Sequence, residues 1–183
     1  GLCDVAFHVD TTQQRDGYDT EADLNSIREA YLERARDLGL MVIFNTTVHQ
    51  GNIHELPVLL QFFTEHANQI GLASFQLQAE TGRGAWGAHD GSISLTNVRR
   101  QINRHAVEEL PWEAIRIGHP SCHSYLPTLI INRNIYPIID DPQLLSEFVE
   151  DFSVAHTDRR LGVRLVVINY LWALLKRPTW IAR

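Results

Sequence analysis

Polar side chains interrupt three otherwise apolar runs of this chain: Val5-Ala-Phe-His-Val-Asp10, Met41-Val-Ile-Phe-Asn-Thr-Thr-Val48 and Ala73-Ser-Phe-Gln-Leu-Gln-Ala-Glu80. Each run reads as a strand, and the strands of a parallel sheet, covered on both faces, are normally hydrophobic almost throughout. A period of two places His8 with Asp10 on one face and Ser74, Gln76, Gln78 and Glu80 on one face, while Asn45 breaks the middle run. Polar residues recurring in this way predict a barrel interior or crevice lined for a ligand.

The segments between these strands carry helical spacing. Thr20-Glu-Ala-Asp23 has the form of a capped helix start, Leu24, Ile27, Tyr31, Ala35 and Leu38 make an apolar stripe, and Gly39 is placed to end it. After Gly51-Asn52, a second stripe runs through Leu56, Leu59, Leu60, Phe63 and Ala67, with Pro57 acceptable only in the first turn. Strand, helix, strand, helix, strand predicts parallel pairing through right-handed crossovers. Past Glu80 comes a Gly-rich stretch, 81–91, just beyond the carboxyl end of the third strand, where α/β folds gather their ligand sites. It contains neither a P-loop nor a dinucleotide fingerprint; it reads as a lid, with Arg83 as a substrate contact. Ser94 or Thr96 then caps a helix carrying Val98, Ile102 and Ala106.

The texture changes near Pro111, dividing the chain into 1–110 and a small α+β extension, 111–183. In the extension, Thr128-Leu-Ile-Ile131 and Ile135-Tyr136 flank a turn at 132–134, and 142–152 reads as a short helix. The apolar stretch 165–175 is about half of the ~20 residues that a spanning helix needs. Leu161, Leu165, Ile168, Leu171, Trp172 and Leu175 form a stripe that suits core packing, while the flanking Arg159, Arg160, Arg164, Lys176 and Arg177 suit a membrane interface.

Composition narrows the partners. With 183 residues the chain can bury a full core, and a formal charge of −6 without any basic run argues against nucleic acid. Two cysteines, Cys3 and Cys122, are too few for a disulfide framework, and without a signal peptide the sequence predicts a cytoplasmic location. Because Gly1 stands at the threshold of a strand, a piece of a longer protein is expected. His119-Pro-Ser-Cys-His123 offers thiolate and imidazole, which suit zinc or iron; Cys122 is a metal-ligand candidate there, or an ordinary buried cysteine.

The series Ala6-Phe-His-Val-Asp10, Leu38-Gly39-Leu40, Val42-Ile-Phe-Asn-Thr-Thr-Val48 with Gly51-Asn52, and Ser74-Phe-Gln-Leu-Gln-Ala-Glu-Thr-Gly-Arg-Gly84 resembles the second half of a radical S-adenosylmethionine enzyme core. The resemblance covers residues 1 to about 85 and, more loosely, 118–141. It implies an α/β fold, the last three strand-helix units of a partial (β/α)6 TIM-like barrel. It also implies S-adenosylmethionine as cofactor beside a four-iron four-sulfur cluster, a 5'-deoxyadenosyl radical acting on a small-molecule substrate, and an electron donor such as flavodoxin or ferredoxin. Carried over by position, His8, Asp10 and Asn45 would contact the cofactor, as would Gln76 and Gln78 by strand position alone. The family's Cys-x3-Cys-x2-Cys loop is absent from the sequence, so the cluster ligands would precede residue 1 and the chain by itself is expected to be inactive.

Two other readings fit the residues without the resemblance. One is a metal-dependent barrel hydrolase using His8, Asp10, His49 and His119, and the other a non-catalytic barrel-like binding module.

Overall fold

The computed structural model describes residues 2–78, 93–115, 119, 124–152, 163–177 and 180. Three parallel strands, β1 (Asp4–His8), β2 (Met41–Val48) and β3 (Ile70–Leu77), pair in the order β1-β2-β3. The crossovers are helices α1 (Asn25–Asp37) and α2 (Leu56–Glu65). Helix α3 (Leu95–Asn103) follows, then the hairpin β4 (Thr128–Ile131) and β5 (Asn134–Pro137), and helices α4 (Pro142–Phe152) and α5 (Val163–Leu175).

Local chemistry sets the boundaries. Thr20 and Asp23 form a reciprocal cap, the Thr20 amide and hydroxyl donating to Asp23 Oδ2 and the Asp23 amide to Thr20 Oγ1, and regular α1 begins one residue after Leu24. It ends at Gly39, whose φ of +67° is left-handed. There the Leu40 amide donates to Ala35 O and the Gly39 amide to Arg36 O, closing the helix with a Schellman motif. Pro57 occupies the first turn of α2, where no amide hydrogen is needed. Ser94 and Asn97 form a capping box on α3, and Asn132 and Arg133, both at positive φ, turn the hairpin.

Both crossover helices cover the same face of the sheet. Val5, Phe7 and Val9, Val42, Phe44 and Val48, and Phe75 and Leu77 meet Leu32, Ala35, Leu59, Phe62 and Phe63 in one cluster. Phe44 is its centre, fully buried and in ring contact with Phe7, Phe62 and Phe63. A second cluster, Leu60, Leu110 and Ile135, seats the hairpin beside α2, and Ile135 also bridges to Ala106 after α3.

These elements correct the expected architecture. In place of the last three units of a (β/α)6 TIM-like barrel, the described residues form no barrel: β1, β2 and β3 make a three-stranded parallel sheet, and β4-β5 is a separate antiparallel pair. The result is a mixed α/β fold with five helices among the described residues. Periodicity specifies parallel pairing, but closure depends on strand number, tilt and shear, none of which hydrophobic spacing records.

Helix α5 also departs from one of its two expectations. Leu165, Ile168, Leu171, Trp172 and Leu175 are exposed rather than packed on a core.

Candidate functional site

The sheet face turned away from α1 and α2 is graded along the strands. In register, Ala6 lies opposite Ile43 and Ile43 opposite Leu72, an apolar row. One pleat toward the carboxyl ends, His8 lies opposite Asn45 and Asn45 opposite Ser74; one further, Thr47 lies opposite Gln76. Ala6, His8, Leu72 and Gln76 are exposed, and the rest of this face is half-buried. The face therefore offers an apolar floor and a polar end.

Asp10 shapes that polar end. The strand stops at His8 because Asp10 caps a short 3-10 turn, Thr11–Gln13, its Oδ1 accepting from the Thr12 amide at 3.0 Å and the Thr12 hydroxyl at 2.5 Å. An uninterrupted parallel ladder would pair the Thr47 amide with Val9 O, following the 3.1 Å bond from Val9 N to Asn45 O. Instead Arg28 Nη2 takes Val9 O at 2.8 Å, and Asp10 Oδ2 accepts from the Thr47 amide at 2.7 Å. The same Oδ2 lies 2.6 Å from His8 Nε2. Burial opposes ionisation of the fully buried Asp10, but the bonds from Thr12 and Thr47 and the nearby His8 outweigh it and hold its carboxyl below the usual range.

His8 is the exposed half of this pair, with 45% of its side chain accessible. Its Nε2 faces Asp10 and also lies 3.0 Å from Thr47 Oγ1. A carboxylate on Nε2 fixes a hydrogen there and leaves Nδ1 for other partners. Beside it, Asn45 Oδ1 is buried and takes no hydrogen bond. An acceptor sealed without a donor is uncommon in folded proteins and marks a position that an added group can satisfy.

A second buried cluster fixes the loops behind this face. Arg28 and Glu21 are both fully buried and meet at 2.6 Å. Arg28 Nη1 also donates to Glu21 O at 2.7 Å and to Asn25 Oδ1 at 2.8 Å. Glu21 Oε1 accepts from the Thr11 amide and hydroxyl, each at 3.0 Å, and from Asn52 Nδ2 at 2.9 Å. Asn52 in turn donates to Thr47 O and accepts from the His49 amide. The loops after β1 and β2 are thereby tied to the start of α1. Sequence reasoning missed Arg28. Its signal was present: the buried stripe of α1 is Leu24, Arg28, Leu32 and Ala35, at helical spacing with a cation in the middle.

Of the sequence-derived candidates, His8, Asp10, Asn45 and Gln76 come together at the carboxyl ends of β1 to β3. Gln78 stands just past β3, half-buried, its amide donating to Val48 O. His49 turns to its own loop, Nδ1 accepting from the Gly51 amide at 3.1 Å, and His119 is exposed. Glu80, Arg83 and Cys122 lie outside the described residues. Among the described residues no three His, Cys, Asp or Glu side chains are grouped to hold a metal ion, and no helix is long and apolar enough to cross a membrane. No family model, curated protein or solved structure matches the chain.

Proposed function

We propose that the polar end of the open sheet face binds S-adenosylmethionine, and that the chain is part of a radical S-adenosylmethionine enzyme. The observation that carries this reading is Asn45, an amide with a buried, unpaired carbonyl set between His8 and Ser74. A turn of the Asn45 amide toward the open face brings its sealed Oδ1 to a ribose hydroxyl or the methionine ammonium, which supplies the donor it lacks. His8 Nδ1 accepts from a second hydroxyl, and Ser74, Thr47 and Gln76 supply both donors and acceptors around it. The apolar row of Ala6, Ile43 and Leu72 suits the less polar parts of the same molecule. Asp10 is a positioning residue here, fully buried and reaching the face only through His8 and Thr47.

In the family that the sequence resembles, this cofactor supplies a 5'-deoxyadenosyl radical after one-electron reduction. A four-iron four-sulfur cluster does not fit the residues present, because the sequence holds two cysteines, Cys3 and Cys122, against the three thiolates required. The role of these residues is to bind and orient the cofactor. The reading carries with it a reducing, cytoplasmic setting, in keeping with the low cysteine count.

Isothermal titration of the purified chain with S-adenosylmethionine tests the proposal, with adenosine and methionine as separate controls. Saturable binding is expected, weakened roughly tenfold by Asn45→Leu, with an unchanged melting temperature. Absence of binding, or equal binding by Asn45→Leu, sinks it.

A further inference from the structure

We infer that α5 is a membrane-surface helix that lays its exposed apolar stripe into an anionic bilayer. At about 1.5 Å per residue its 13 residues span roughly 20 Å, short of a hydrocarbon core of about 30 Å. It therefore lies along the interface. Leu165, Ile168, Leu171, Trp172 and Leu175 fall within about a third of the helix circumference at 100° per residue. They are 44%, 47%, 52%, 60% and 66% exposed in that order. Exposed large side chains scattered singly need no explanation, but five on one stripe mark an interaction surface.

Charge decides the occupant. Residues 159–183 contain six of the chain's 16 basic residues and none of its 22 acidic ones. The segment thus carries +6, against −12 for the preceding 158 residues. A second copy of this chain would bring the same positive segment to the stripe and repel it, whereas an anionic lipid surface attracts it at about fivefold in affinity per basic side chain near the headgroups. Lys176 stands over the Trp172 ring at 5.2 Å from its centroid, so the indole and the ammonium share one edge of the stripe. Interfacial helices place such aromatic and cationic groups at headgroup level. Just past the carboxyl end of α5 the region is held to its own fold: Arg177 lies 3.9 Å from Asp151 and over the Phe152 ring, and Trp180 packs on Phe148 and Phe152. The apolar stripe stays clear of those contacts.

Flotation of the full chain with vesicles tests this. Vesicles of phosphatidylcholine alone are compared with vesicles containing about one-third phosphatidylglycerol, at low and high salt. Binding only to the anionic vesicles is expected, falling at least tenfold at high salt as the surface charge is screened. Leu171→Glu with Leu175→Glu should abolish it, and Lys176→Glu should weaken it by tenfold or more, because it replaces an attraction with a repulsion. All three positions are exposed; far-UV circular dichroism confirms that each variant is folded, and Leu171→Gln alone serves if the double variant is not. No flotation with either vesicle overturns the inference. So does equal binding to both, or a concentration-dependent dimer in sedimentation that Leu171→Gln dissolves.

Discussion

Replacing Glu21 with Gln tests whether the polar cluster behind the site is as dry as its geometry. The carboxylate is fully buried and holds Arg28 at 2.6 Å, while its other oxygen accepts from the Thr11 amide and hydroxyl and from Asn52. A glutamine side chain keeps one acceptor oxygen. Its amide nitrogen, however, lands against the guanidinium, donor facing donor, and Arg28 is left as a buried cation with only Val9 O, the residue 21 carbonyl and Asn25 Oδ1 to solvate it. Breaking one side of a buried ion pair costs about 3–5 kcal/mol, a large share of the roughly 5–15 kcal/mol that stabilises a typical domain. Removing both ions with Glu21→Met and Arg28→Met leaves no unpaired charge. The double variant should therefore lose clearly less than the sum of the single losses, although Thr11, Asn52 and Val9 still forfeit partners worth about 1 kcal/mol each. Urea unfolding followed by far-UV circular dichroism, with slopes compared across the cycle, measures every term. Single losses below about 1 kcal/mol with no coupling would refute the reasoning, because such values belong to ion pairs reached by water.

Two further outcomes follow from the same contacts. Asp10 has a folded-state pKa below its ordinary value of 3.8, so its ionised form contributes stability that is present above that value and is lost as the pH falls through the lower, folded one. Asp10→Asn should lower stability near neutral pH and flatten the acid limb of a pH-resolved unfolding series; an unchanged limb counts against the assignment. Gly39→Ala meets nothing within 4 Å of the added Cβ but must hold φ at +67°, so it should cost about 1 kcal/mol in thermal unfolding through backbone strain alone.

Much of the local structure was legible because it depends on short-range chemistry. The second strand read as 41–48 is β2, the hairpin falls at its turn residues, and the helix read as 142–152 is α4 with Asp141 capping its first amides. What the sequence concealed depends on which of two candidate stripes the fold buries. Leu38 belonged to the stripe expected for α1 yet is 72% exposed, while Arg28 is fully buried because Glu21 waits for it across the turn. The alternation that put His8 and Asp10 on one strand face held for His8 only. Asp10 left the strand to cap the next turn, and the site gained a buried carboxylate behind an exposed imidazole. The expected three units of a partial barrel were overturned for a related reason: spacing along a strand specifies parallel pairing and says nothing of whether the sheet curls into a barrel.

The order β1-β2-β3 has a consequence on a slower clock. Cys3 O and Val9 N both face β2, so by the period of two the amides of Val5, Phe7 and Val9 point into the ladder. Those of Ala6 and His8 point away from β2. Hydrogen exchange along this strand should therefore alternate residue by residue, slow and fast, while β2, paired on both sides, should be protected throughout. The rhythm of deuterium uptake would mark where the sheet stops, and any partner that adds itself to the edge of β1 would silence every second beat.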